Sequence, residues 1–315
     1  MVDCPLGQKT FCFQCPLTAM KEKPDIVIRL HSGLANRMFQ YAFYLYLQKK
    51  GYRVWVDDRN FRKIHAHEQV DWQHIFPQAT MMEAPKRIIF HYGGGGDVFS
   101  KVRRNIPHAS RVWWRIKDPT FRIPNKDELK ERPYLIGYFQ RADMVEEVEE
   151  QLRQDFLFAP FDPNTKNEEW ATLMAQEESV GIHIRKAHDY TSLPWFENTC
   201  TAEYYAHAID YMKQHLKNPR FFLFADDLTW AKKHLPEGCE WVEGNPTAGW
   251  GSHFDLQLMS CCKHNIIANS TYSWWAAFLN QNPNKQVVMP AHWFNPKLYP
   301  QPDNALQAKG WVMLD

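Results

Sequence analysis

The chain has 315 residues, a formal net charge of +1 from 37 basic and 36 acidic side chains, and 15% aromatic residues. That length exceeds one ordinary core and points to two domains, and the charge balance argues against a nucleic-acid groove. No run approaches the roughly 20 apolar residues of a membrane span.

Residues 1–23 read as an extension ahead of the first strand, without the apolar core or cleavage site of a secretory signal. Cys12 and Cys15 have the spacing of a zinc half-site, but no second well-spaced pair follows. Seven cysteines, an odd number, suit reduced thiols in a cytoplasmic protein. Most of the 13 Trp and 13 Tyr are expected in cores and interfaces, although flat rings also suit sugar faces.

Residues 26–30 read as a buried strand, His31-Ser32-Gly33-Leu34-Ala35-Asn36 as a turn, 37–50 as a helix closed by Gly51, and 52–56 as a second strand. This is a βαβ unit. Its turn has one glycine instead of the three of the dinucleotide fingerprint, which disfavours a nicotinamide or flavin fold. Asn36 stands where a helix start can face an anion or a substrate hydroxyl. The plainer alternative is an N-capping Asn36 followed by a surface Arg37.

Residues 57–133 are less regular. His65, His67 and Glu68 could be a metal cluster but are better read as polar loop residues. Gly93 to Gly96 lack the Gly-Lys-Ser/Thr of a Walker loop and read as a turn. A strand over 134–139, a helix over 142–155 and a linker over 158–164 follow.

A second alternating array has strands over 180–184, 221–225, 240–242, 265–268 and 286–289. Helices are expected over 202–217, 228–234, 254–262 and 272–280, so the sheet is mostly parallel and doubly wound. Ligands bind such sheets beyond the carboxyl ends of the strands. There the strand over 180–184 runs into Arg185, Lys186, His188, Asp189 and Tyr190. Arg185 offers a rigid fork of donors and Lys186 a mobile point charge, which suits a phosphorylated substrate.

Asp226 and Asp227 end another strand. They could hold a divalent cation, or Asp227 could cap the following helix while Asp226 takes a ligand hydroxyl or a guanidinium. Asn269-Ser270-Thr271-Tyr272-Ser273 ends a third strand and starts a helix, which makes a phosphate cradle. Trp274 and Trp275 are expected to pack.

Four segments in order resemble the glycosyltransferase family 11 fucosyltransferases. His31-Ser32-Gly33-Leu34-Ala35-Asn36-Arg37-Met38-Phe39-Gln40-Tyr41-Ala42 is similar to the family's opening motif. His183-Ile184-Arg185-Lys186-Ala187-His188-Asp189-Tyr190 is similar to its His-Val-Arg-Arg-Gly-Asp-Tyr. Phe222-Leu223-Phe224-Ala225-Asp226-Asp227 and the stretch from Asp255 to Asn280 complete the pattern. His31 and Ala35 replace glycines, Lys186 replaces the second Arg, and one residue is inserted before Asp189.

The resemblance implies an α/β fold of GT-B type, two Rossmann-like doubly wound domains facing a cleft. The expected parts are an acceptor-side domain over 24–160, a donor domain over 161–290 and a segment over 291–315 packing back on the first domain. The implied reaction is inverting, metal-independent transfer of L-fucose from GDP-β-L-fucose to a galactoside hydroxyl, the 2-OH first, with no cofactor.

Arg185 and Lys186 would stabilise the diphosphate, and Asn269, Ser270, Thr271 and Ser273 would bind its oxygens. Asp226 or Asp227 would hold guanine or ribose, Asn36 would face the transferred sugar or the acceptor, and His183 would position the loop. Asp189, Glu197 and His31 are the candidates for accepting the acceptor's proton. The expected partner is a galactose-containing oligosaccharide or lipid-linked glycan in bacterial surface polysaccharide synthesis, in the cytoplasm or at the inner face of the membrane. The alternatives are a GT-B enzyme using another sugar nucleotide, or a non-catalytic glycan-binding module.

Overall fold

The computed structural model describes residues 23–59, 72–93, 98–106, 111–115, 121–187, 191–247, 249–300 and 304–315. The N-terminal cysteines, the His65–Glu68 cluster, the glycines 94–96 and residues 188–190 lie outside them.

The first sheet holds β1 (Ile26–Arg29), β2 (Val54–Asp57), β3 (Val112–Arg115) and β4 (Tyr134–Gly137) in the order β2-β1-β4-β3. The second holds β5 (Ser179–Ile184), β6 (Arg220–Ala225), β7 (Glu240–Trp241), β8 (His264–Ile266), β9 (Val287–Pro290) and β10 (Val312–Leu314) in the order β10-β9-β8-β5-β6-β7. Every pairing in both sheets is parallel. Central β5 is buried at all six positions, as expected of a central strand in a sheet covered on both faces.

The helices of the first half are α1 (Leu34–Lys49), α2 (Trp72–Ile75), α3 (Lys86–Tyr92), α4 (Val98–Asn105), α5 (Lys126–Glu131), α6 (Ala142–Glu147) and α7 (Glu149–Asp155). Those of the second are α8 (Lys166–Gln176), α9 (Ala202–His215), α10 (Leu228–His234), α11 (Phe254–Cys261) and α12 (Thr271–Leu279).

The two halves share one core. Phe39 of α1 packs against Trp274 and Trp275 of α12 with ring centroids 4.8 and 4.9 Å apart. Both tryptophans are fully buried, and Trp274 Nε1 donates to the Leu306 carbonyl at 2.7 Å. Arg153 on α7 donates to the Phe278 carbonyl at 2.9 Å, and Gln257 on α11 to the Ala159 carbonyl at 2.7 Å. This packing fixes how the starts of α1 and α12 meet.

Several elements differ from the expectation. β3 falls in the region read as irregular, because four residues of Val-Trp-Trp-Arg are too short a run to signal a strand. α8 buries only Met174, so it shows no apolar period; its signal is the Thr165 side chain capping Glu168 N–H. The helix over 142–155 is broken at Val148, whose φ is −120° and ψ 18°. The last segment joins the second sheet as β10, while Lys309 N–H reaches Glu146 on α6 at 2.6 Å. It therefore clasps both halves and does not pack back on the first alone.

Gly137 closes β4 with no room for a side chain. An added Cβ would lie 3.0 Å from both the Phe139 and Trp113 rings. Gly137→Ala is expected to cost about 1–3 kcal/mol through overpacking. Urea unfolding checks this, and an unchanged midpoint would contradict the tight packing.

Candidate active site

Carboxyl ends of strands from both sheets meet at one cleft of about 910 Å³. From the first half it is lined by Gly33 to Asn36 after β1, Arg115 at the end of β3, and Tyr138 to Gln140 after β4. From the second come His183 and Arg185, Phe224 to Asp226, and Asn269 to Tyr272. Three non-glycine residues near it, Ser32, Phe121 and Phe139, hold left-handed φ angles of 66°, 51° and 54°. Such strain collects where the surroundings over-determine the backbone, as at ligand sites.

Arg185 follows β5 and forms an ion pair with Asp226, while 29% of its side chain stays exposed to the cleft. The other Asp226 oxygen accepts the backbone N–H of Lys186 at 2.6 Å and of Ala187 at 3.1 Å. Asp226 thus holds both the guanidinium and the loop that carries it. His183 is buried, with its ring 5.8 Å from that of Tyr272. Burial, helped by the charge of Arg185, pushes its pKa down to about 3, so the imidazole is neutral.

α12 starts at the same cleft. Ser270 caps it by accepting Tyr272 N–H at 3.3 Å, and the helix dipole faces the space beside Arg185. Thr271 Oγ1 reaches Asn36 Oδ1 at 3.3 Å, and Gln140 Nε2 reaches the same oxygen at 2.8 Å. Asn36 is therefore one point where the two halves touch across the cleft. Gly33, not Asn36, caps α1, and Arg37 is 2% exposed and not a surface residue.

Five expected site residues take other positions. Lys186 does not line the cleft; its ammonium donates to the Thr199 carbonyl at 2.8 Å and lies 5.0 Å from the Trp230 ring. Burial lowers its pKa. Asp227 caps α10 by accepting Trp230 N–H at 2.9 Å. Ser273 is fully buried and turns its hydroxyl back to the Ala268 and Ser270 carbonyls. Glu197 is exposed and is not part of the cleft wall. Asn269 lines the cleft but is 2% exposed, its amide donating to Thr199 Oγ1 at 2.8 Å and the Trp293 carbonyl at 2.9 Å. It braces the loop and is not open to a phosphate. Asp189 lies outside the described residues.

His31 sits behind the cleft wall. Its Nε2 is 3.2 Å from the Gly137 carbonyl, so this nitrogen carries the proton. Nδ1 is 3.2 Å from Ser32 Oγ, which is 3.2 Å from the Tyr138 hydroxyl in the cleft. Burial lowers the His31 pKa to about 4.

Sequence reading missed Asp255, Tyr138, Gln140 and Arg115. Asp255 in the first turn of α11 lines the cleft, accepts Asn245 Nδ2 at 2.7 Å, and has its pKa raised by burial. The one available signal was that it opens the last of the four resembling segments. Among the described residues no three His, Cys, Asp or Glu side chains converge as a metal site. No described helix is long and apolar enough to cross a membrane.

Two parallel α/β sheets directing strand ends, an arginine fork and a helix start into one cleft are the arrangement of a GT-B-type α/β fold. The model of glycosyl transferase family 11 matches residues 112–315, and the chain belongs to that family. It is 29% identical over 281 residues to the alpha-1,2-colitosyltransferase of Escherichia coli, a match covering 85% of this chain and 92% of that protein. It is 32% identical over 295 residues to the O-antigen biosynthesis glycosyltransferase WbnK of E. coli, covering 84% and 93%. Among solved structures, the fucosyltransferase NodZ from Bradyrhizobium aligns with a TM-score of 0.47 and 13% identity, over 80% of this chain and 92% of that one.

Proposed function

We propose that the protein transfers L-fucose, with inversion, from GDP-β-L-fucose to the 2-OH of a galactoside in surface polysaccharide synthesis. The observation that carries this is the convergence of Arg185 and the start of α12 on one side of the cleft, with Asn36 opposite. The barrier is breaking the anomeric C–O bond while charge grows on the diphosphate. A fixed guanidinium and helix-start N–H groups stabilise that charge without reorganising. Asp255, half-buried and partly held by Asn245, suits the N–H edge of guanine.

The acceptor proton has a path through Tyr138 and Ser32 to Nδ1 of the neutral His31. A weak base suffices, because the hydroxyl becomes acidic only as its oxygen bonds the anomeric carbon. Asp226 is engaged by Arg185 and two backbone N–H groups, and Asp227 by α10, so neither is offered to a cation.

A second donor has a specific basis, since one relative is named for colitosyl transfer. The test is GDP release and product analysis with GDP-fucose, GDP-colitose and other sugar nucleotides over a panel of galactosides. GDP-fucose is expected to turn over fastest, at an unchanged rate in excess EDTA. Preference for another donor would overturn the fucosyl assignment. A loss reversed by Mn or Mg would return Asp226 and Asp227 as metal ligands. Binding of glycans with no GDP release would mark a non-catalytic module.

A further inference from the structure

We propose that the first half docks on a lipid bilayer carrying acidic headgroups, through α3, α4 and the outer face of β3. This deepens the fucosyl-transfer reading by saying where a lipid-linked acceptor is met, and rests on that reading for this clause alone.

α4 is turned inside out. Val98, Val102 and Ile106 recur every four residues, which sets them along one stripe. They are between 50% and 72% exposed, whereas Ser100 on the same helix is 2% exposed. A helix packed on a core does the reverse. Phe90 on α3 and Trp114 on β3 are also more than half exposed. With Met82, these are six of the ten large apolar side chains that are exposed among the described residues.

They share one face of the first sheet. Val112, two residues before Trp114 on β3, packs with Ile89 and Tyr92 of α3, so Trp114 points to the side that α3 covers. The Arg111 guanidinium carbon lies 5.5 Å from the centre of the Tyr92 ring. The stretch that carries α4 therefore leaves and rejoins this face at one point.

Charge decides the occupant. Positions 82–115 hold seven Lys and Arg against two Asp and Glu, a net +5 in a chain whose total is +1, which leaves −4 for the rest. Three of these cations have no carboxylate partner. Lys86 and Arg87 are exposed in the first turn of α3 and form no ion pair among the described residues. Arg111 meets His91 Nε2 at 3.2 Å and the Tyr92 ring. Asp25, which lies in the field of Arg87, is held by Arg53. Apolar side chains set among unbalanced cations suit the boundary between acidic headgroups and acyl chains. A second copy of this chain would bring the same positive face against itself. β3 ends at Arg115 in the cleft wall, so the docked face and the cleft share a strand.

The test is cosedimentation of the full chain with phosphatidylcholine vesicles and with vesicles that also contain phosphatidylglycerol. Partition onto the second kind is expected to be about tenfold or more stronger, and to weaken as salt is raised. Val98→Asp/Val102→Asp should lower that binding about tenfold with an unchanged thermal melt, since both side chains already face solvent. Lys86→Gln/Arg87→Gln should lose most of the preference for phosphatidylglycerol, and it decides alone if the aspartates lower the melt. No binding to either vesicle, equal binding to both, or binding that neither variant changes would overturn the proposal. A wild-type dimer that the aspartates split, without vesicle binding, would assign the stripe to a second copy and overturn it too. Failure to turn over GDP-fucose would count against the fucosyl reading alone, since vesicle binding needs no donor.

Discussion

Replacing Arg185 by alanine is expected to lower the rate of transfer about 10²–10³-fold while the protein stays folded. The guanidinium sits at the carboxyl end of β5, a strand buried at all six positions, and is aimed by Asp226. Its position is set before any donor arrives, so it need not reorganise as charge grows on the leaving diphosphate. The fold survives because Asp226 keeps its two backbone donors from Lys186 and Ala187. Arg185→Lys should recover only a small part of the rate, since an ammonium keeps the charge but not the fork. Single-turnover release of GDP with a parallel thermal melt reads both effects. Most of the activity remaining in folded Arg185→Ala would remove Arg185 from the diphosphate.

Lowering the pH from 7 to 5 is expected to cost several kcal/mol of stability. Three imidazoles are held in the neutral form, those of His183 and His253 buried and that of His31 half-buried. Burial is the main cause for each, taking His31 to about 4, His183 to about 3 and His253 to about 4. In the unfolded chain each titrates near 6.5, so between the two values the unfolded state binds more protons and stability falls as pH falls. The contribution is complete above about pH 6.5 and lost progressively down to the folded values. By pH 5 each group costs at most about 2 kcal/mol. Asp255, whose pKa is raised, acts in the opposite direction at the lower end of the window. Urea midpoints at pH 7, 6 and 5 test the sum. A flat profile would mean that these rings are hydrated in the native state.

Much of the second half's side of the cleft is legible from the chain because its signals are local. The run ending in His183-Ile184-Arg185 is apolar enough to be a central strand, and the polar break after it can only lie at the strand's end. Ser270 and Thr271 announce a helix start by the same logic. Local signals overreached where one residue type serves two purposes. Asp227, Ser273 and Lys186 have the chemistry of phosphate or nucleotide ligands, yet they cap a helix, satisfy a buried turn and brace a loop. Which purpose wins depends on neighbours distant in sequence, such as Trp230 and Thr199 around Lys186.

The first half's side of the cleft was less legible. β3 is four residues long, and Arg115 acquires meaning only once that strand is seen to end at the cleft. Phe121, Phe196 and Phe294 are ordinary aromatics in the chain and become a wall only when three remote segments meet.

The sequence by itself determined the two parallel α/β halves, the arginine at a strand end, the polar helix start and the family resemblance, because period and turn chemistry act over a few residues. Only the tertiary structure decided which polar groups face the cleft, that His31 is held neutral behind Tyr138, and that Asn36 meets Thr271. Those outcomes depend on burial and on α1 packing against α12, and desolvation is a property of surroundings that a linear chain does not display.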